Sequence, residues 1–301
     1  MTRTRKGVAA VLAAAALTPL AGQAVAAAAS LPSQIAVGSD GTQMILDGAG
    51  VVSAKTGIGP GGWTVETDAV VRKIATNGGV QLILDNTGTV LAKSTIGLYG
   101  WTVESAPGIT DIAVGSDGTQ MILDVTGTVL AKQGIGLYGW TAETGPGMTR
   151  IATNGGVQLV RDAYGTVSAR NTIGRDDWTV ETDAVVSKIA VGADGTQLIL
   201  DNTRVVSAKK EIGRYGWTVE SGPGNTDIAA GADGLQLVLD NTGTVSARTG
   251  IGREGWTAET DPVVRKIATN GDVQLILDNT GTVLAKKEVG RYGWTAETGL
   301  P

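Results

Sequence analysis

The side chains of this sequence that could do chemistry are tryptophan, tyrosine, glutamate, aspartate, lysine and arginine, because histidine and cysteine are absent. There is therefore no imidazole base, no thiolate nucleophile or zinc ligand, and no disulfide. Stacking, hydrogen bonding and ion pairing remain. Seven tryptophans, at 63, 101, 140, 178, 217, 256 and 294, recur every 38 or 39 residues. Tyr99, Tyr138, Tyr215 and Tyr292 each precede one of them by two positions. On one extended segment that spacing puts both rings on the same side. The flanking glycines let a ligand approach the backbone closely. An indole face suits the axial C–H groups of a sugar, so this Gly-rich aromatic loop is the best binding candidate. The candidate set is Trp63, Trp101, Trp140, Trp217, Trp256 and Trp294 with Tyr99, Tyr138, Tyr215 and Tyr292. Trp178 is left out because Asp176-Asp177 replace the Tyr-Gly before it. The competing role is structural: each indole packs between repeats and buries surface that the missing phenylalanines cannot.

Other residues keep the same step. Glu66, Glu104, Glu143, Glu181, Glu220, Glu259 and Glu297 follow each Trp by three. Lys55, Lys93, Lys132, Arg170, Lys209, Arg248 and Lys286 end an earlier strand. The expectation is a pair across a hairpin, solvated and worth on the order of 0–1 kcal/mol; the sharper alternative is a carboxylate bonding sugar hydroxyls. The repeated glutamines, such as Gln81, either bond the adjacent turn or offer an amide to a ligand. The repeated aspartates, such as Asp85, are read as turn caps. The fourth repeat is the most irregular, with Arg161 for a leucine, Tyr164 in a turn, and Asp176-Asp177. Arg161 could pair with an Asp. The two adjacent aspartates face opposite ways on a strand and make a poor hydrolytic pair. No loop has calcium-ligand spacing, so neither cofactor nor metal is expected.

The elements that position these groups follow from one copy, residues 73–105. Ile-Ala-Thr reads as a first strand, ended by an Asn-Gly or Asp-Gly turn that tolerates positive φ. Gln81 to Asp85 is a second strand, and Asp-Asn-Thr-Gly the next turn. Thr89 to Lys93 is a third, and a Gly-rich loop leads to a fourth at Trp101. Turn dipeptides interrupt every stretch before a helix could form. Four strands per unit and seven units give an all-β fold, a seven-bladed β-propeller of four-stranded antiparallel blades over residues 35–298. A β-prism and an open solenoid are the alternatives; a solenoid would need distinct caps, and none is visible. The expected closure is a strand exchange, in which Trp294 to Thr298 completes the blade begun by residues 33–62. The alternative is seven blades in phase with the repeat. Residues 73–93 and 266–286 differ only at Gly79 against Asp272. Such likeness argues strongly for fold and weakly for function.

Residues 1–26 read as a secretory signal: Arg3, Arg5 and Lys6, then an apolar run, then Ala24-Val25-Ala26 as a cleavage pattern. Residues 27–34 form a lead-in and 299–301 a tail. Removing the three leader cations leaves 21 positive against 29 negative charges, a net −8. That balance disfavours nucleic acid and anionic membranes as partners, and the short apolar run disfavours membrane insertion.

The segment Ile58-Gly59-Pro60-Gly61-Gly62-Trp63 resembles the loop of tachylectin-type propeller lectins. The wider pattern, with Ile-Ala before a Gly turn and then Gly-Thr-Val, is similar to tectonin repeats. The resemblance implies multivalent, non-catalytic carbohydrate binding; with the secretory signal, the expected partners are glycans of a cell surface or extracellular matrix. Other repeats carry Tyr-Gly-Trp, Glu-Gly-Trp or Asp-Asp-Trp. The alternative function is a secreted protein-interaction scaffold with structural tryptophans. An enzyme is disfavoured by the symmetry and the missing histidine and cysteine.

Overall fold

Alternating β-branched and small residues between tight turns can only bury their apolar sides by stacking sheets face to face. The computed structural model describes residues 30–68, 70–175, 177–183 and 185–297 and has that arrangement. Seven four-stranded antiparallel sheets each take their strands in sequence order. Blade 2 is typical, with strands Val71–Thr76, Gln81–Asp85, Val90–Lys93 and Thr102–Val103. Blade 1 runs from Pro32 to Val65, and blades 3 to 7 begin at Ile109, Met148, Val186, Asn225 and Val264. The first strand of blade 1 starts at Pro32, so it takes in the last three residues of the expected lead-in. The secretory segment 1–26 and the tail 299–301 lie outside the described residues.

The expected strand exchange does not occur. The last strand, Thr295–Ala296, pairs with Val283–Lys286 of its own blade, and Thr64–Val65 fills the outer place in blade 1. The blades are in phase with the repeat. Closure works through side chains instead. Trp63, Val37 and Ile45 of blade 1 pack against Leu275, Leu277 and Ala285 of blade 7. Each apolar cluster spans two blades in this way: Met44, Leu46 and Val52 of blade 1 meet Val71, Ile74 and Ile83 of blade 2. The first seam and the last are thus chemically alike.

Antiparallel order fixes which groups share an edge. The turn after the first strand and the Gly-rich loop after the third lie on one edge of a blade. The start of the first strand and the Asp turn lie on the other. The aspartates cap those turns as expected: Asp85 Oδ1 accepts from the backbone NH of Thr87 and Thr89, both at 2.8 Å. Position four of the turn is left-handed, Gly88 in blade 2 with φ 86°, and a Cβ there would meet the backbone of Gly108 at 2.8 Å. Blade 5 alone puts a side chain there, Arg204 at φ 68°.

Burial opposes ionisation of Asp124. The Thr126 hydroxyl and the backbone NH groups of Thr128, Thr126 and Gly127 outweigh it and hold its carboxyl below the ordinary 3.8. Asp240 is held down the same way, by Thr242, Thr244 and Gly243. A depressed native pKa stabilises the fold above the unfolded value and loses that contribution as pH falls through the native one. Urea midpoints should therefore stay level from pH 6 to about 5 and fall below about pH 4. In Asp124→Asn/Asp240→Asn the midpoint starts lower at pH 6 and the acid fall is shallower. An unchanged acid limb would refute the assignment.

Candidate functional site

The Gly-rich loop is built around a seam between blades. Lys93 ends the third strand of blade 2, and its ammonium meets the Glu66 carboxylate of blade 1 rather than a partner in its own hairpin. The same pairing joins Lys132 to Glu104, Arg170 to Glu143, Lys209 to Glu181, Lys286 to Glu259, and Arg248 to Glu220 at 2.9 Å. Glu297 pairs with Lys55 and closes the circle. These carboxylates are 0–1 % exposed. The expected solvated hairpin pair is thus corrected to a buried pair across a seam. The reason is position: the glutamate lies at the outer end of its blade, so its side chain reaches the third strand of the next blade, whether the fourth strand stops before it, as at Glu66, or includes it, as at Glu220.

Each pair sits inside a larger clamp. The loop glycine, Gly97 in blade 2, donates its NH to Glu66 Oε1 at 2.8 Å and accepts from Lys93 Nζ through its carbonyl. Its φ is 144°, and those of Gly59, Gly136, Gly174, Gly213, Gly252 and Gly290 are 139–152°. Side chains rarely adopt that region, so the repeated Ile-Gly or Val-Gly is demanded by the clamp. The indole NH of each Trp donates to the backbone carbonyl of the same glutamate at 2.7–3.1 Å. The cation lies 4.4–5.4 Å from the indole centre, within cation–π range. Burial pushes Lys93, Lys209 and Lys286 down to about 8. Burial likewise raises the Glu220 carboxyl, against the opposing pull of the Gly252 NH and Arg248.

The aromatic residues are therefore separated. Trp63 is 9 % exposed, and the other six indoles are half-buried. Tyr99, Tyr138, Tyr215 and Tyr292 are 84–88 % exposed. The expected same-side pair fails because the residue between them is a left-handed glycine, such as Gly100 at φ 91°, and alternation holds only on an extended chain. Tyr points to solvent, while Trp turns into the seam. At Trp140 the exposed part of an indole borders a groove. Trp140 walls a groove of about 370 Å³ between blades 2 and 3, beside Leu130, Leu137, Ala106 and Pro107.

The remaining candidates are settled locally. Gln43, Gln120 and Gln236 donate their amides to the carbonyls of Gly57, Gly134 and Gly250, in the Gly-rich loop rather than the adjacent turn. Arg161 bonds the Thr149 hydroxyl and the Val186 carbonyl instead of an aspartate, tying blade 4 to blade 5. Tyr164 is 81 % exposed, on the edge away from the clamps. Asp177 is exposed, and Asp176 lies outside the described residues. No group of three or more potential metal ligands occurs among the described residues. No helix among them is long and apolar enough to cross a membrane.

No protein-family model and no curated protein matches the chain. Solved structures do. The BP39L lectin from Burkholderia pseudomallei superposes with a TM-score of 0.66 at 14 % identity, covering 89 % of this chain and 99 % of that one. Human WBSCR16 gives 0.65 at 12 % identity, covering 83 % and 88 %. YCF48, bound to a D1 peptide, gives 0.60 at 14 % identity, covering 86 % and 94 %. Identities this low establish the fold alone, and the chain is a seven-bladed β-propeller.

Removing one partner of a buried pair strands the other charge, at a cost of about 3–5 kcal/mol. Glu104→Gln should lose that much in urea unfolding. Lys132→Met/Glu104→Leu should recover most of it. A loss under about 1 kcal/mol for the single variant would show the seam to be solvated.

Proposed function

We propose that this protein is a secreted, non-catalytic carbohydrate-binding propeller. The observation that carries the reading is the groove of about 370 Å³ walled by Trp140, Leu137 and Leu130. An indole fixed by its NH and by a cation on its face is a rigid apolar wall, and a sugar stacks on it without ordering cost. Tyr99, Tyr138, Tyr215 and Tyr292 supply four further exposed rings on equivalent loops. Single contacts of this kind are weak, so repetition would provide avidity on a glycan-rich surface. The likeness to tachylectin-type and tectonin repeats and the fold shared with the BP39L lectin are consistent with this reading.

A second reading rests on a different observation. The clamp occupies the NH of every indole and sets a cation against its ring, which a purely structural tryptophan also explains. The exposed tyrosines would then serve a protein partner on a ring scaffold. YCF48, which shares the fold, is described bound to a peptide.

A glycan array with indole fluorescence titration separates the two. Leu137→Glu should abolish the fluorescence response of the groove. Replacing all four tyrosines by alanine should lower apparent affinity for a multivalent glycan surface by about 100-fold. Unfolding midpoints should stay unchanged in both. No sugar-dependent signal from the folded protein would overturn the carbohydrate reading and favour the scaffold.

A further inference from the structure

The ring axis carries chemistry that the rim does not use. The first strand of every blade faces it, and alternation sets Lys73, Ala75 and Asn77 on one side of that strand. Ile74 lies on the other side, buried in the seam. Along the axis this gives a polar ring, then a waist lined by Ala36, Ala75, Ala113 and their equivalents, then a ring of glycines and asparagines. At the last ring Asn154 Nδ2 donates to Asn270 Oδ1 at 3.0 Å. These residues belong to blades 4 and 7, so the bond crosses the axis. Access is from the other end, the edge away from the tyrosine loops.

That open end holds a cavity of about 500 Å³. Taken around the ring from blade 1, the first polar position reads Gln34, Lys73, Asp111, Arg150, Lys188, Asp227 and Lys266. Lys73 pairs with Asp111, and Lys188 with Asp227 at 2.7 Å. Arg150 and Lys266 have no carboxylate partner among the described residues. Among the described residues Arg150 donates only to the Thr149 carbonyl next to it. Burial lowers Lys73 to about 8, and Arg150 pushes it the same way, so the cations here repel one another. An excess of two positive charges in a walled mouth, on a molecule that is acidic overall, focuses potential where an anion would relieve that repulsion.

We propose that the axial mouth is a binding site for a small polyanion bearing phosphate or carboxylate groups, held between Arg150 and Lys266 with Lys73 and Lys188 alongside. The site is independent of the rim and of the carbohydrate reading. Its position is also where otherwise similar copies differ most in charge, as expected of a site assembled once at the centre of a ring.

Isothermal titration of the purified protein with inorganic pyrophosphate and, separately, with citrate at low ionic strength tests it. Binding tighter than about 1 mM is expected for at least one of them. Binding of pyrophosphate alone assigns the site to phosphate, and of citrate alone to carboxylate. Arg150→Gln/Lys266→Gln should weaken it by about 100-fold, and Asp227→Asn, which frees Lys188, should tighten it by about tenfold. Arg150 and Lys266 are exposed, so the double variant should unfold at the same midpoint and keep its response at the rim. No binding of either anion, or an affinity that moves in neither variant, overturns the proposal.

Discussion

At each seam a lysine or arginine has been taken out of water and given a carboxylate and an indole face from the two sides of the boundary, and each of the five lysines also takes a glycine carbonyl. Such a pair contributes little net stability by itself, because desolvation offsets most of the Coulomb attraction. Its effect lies in what happens when it is broken. A blade docked out of register leaves an ammonium or a carboxylate buried alone, which costs far more than a misplaced leucine. The apolar clusters supply attraction between any two blades, since all are lined by Leu, Ile, Val and Ala. The clamps make one spacing of the blades the acceptable one. Glu297 is the seventh of seven equivalent carboxylates, and Lys55 would lie buried without it. Closure is therefore enforced by the same interaction that joins neighbours, and no exchanged strand is required.

The clamp also divides the labour of the aromatic loop. Glutamate needs an NH donor, and a glycine near φ 144° presents it. Tryptophan must reach the glutamate carbonyl of the previous blade, which turns its ring into the seam. A second glycine, left-handed, lets the chain make that turn, and it throws the preceding tyrosine outward. Burial of one ring and exposure of the other are consequences of a single backbone path. What the clamp leaves over for binding is an edge of indole at the groove and the tyrosine tip at the rim.

Much of this was legible in the residues. The 38–39 residue step of Trp, Gln and Asp predicts seven equal units, and the turn chemistry divides each into four strands. Asp85 and its equivalents cap as their spacing implies. The charge pair was visible too: in every copy a glutamate three after Trp is matched by Lys or Arg, and Arg replaces Lys without loss of sign. Which cation a given glutamate meets was not legible. A strict repeat places Glu66 at the same offset from Lys55 as Glu104 from Lys93, so intra-blade and inter-blade pairing look identical in one dimension. The failure of the Tyr–Trp pair has a different origin. The rule of alternating sides presumes an extended chain, and the glycine between them is a change of direction rather than room for a ligand. The points at which the repeat begins and ends suit a strand exchange equally well, but the register of hydrogen bonds decides against it.

Near-identical copies make conserved features poor guides to function, so the informative positions are those where copies disagree. Two such places lie on opposite edges. In the loop before Trp, Pro60, Leu98 and Leu137 give way to Arg175, Arg214, Arg253 and Arg291 in later blades. At the start of the first strand, the charge varies in sign around the axis, with Arg150 and Lys188 adjacent and both positive, while the following Ile-Ala never changes. Neither place contributes to the clamps, so variation there does not threaten ring closure. The two also differ in how symmetry treats them. A rim loop is presented once per blade, and its differences can only grade seven separate contacts. At the axis the seven positions converge on one cavity, and seven individually weak choices sum into a single electrostatic field. That geometry lets duplication followed by a few substitutions build a unique site at the centre while leaving the perimeter repetitive.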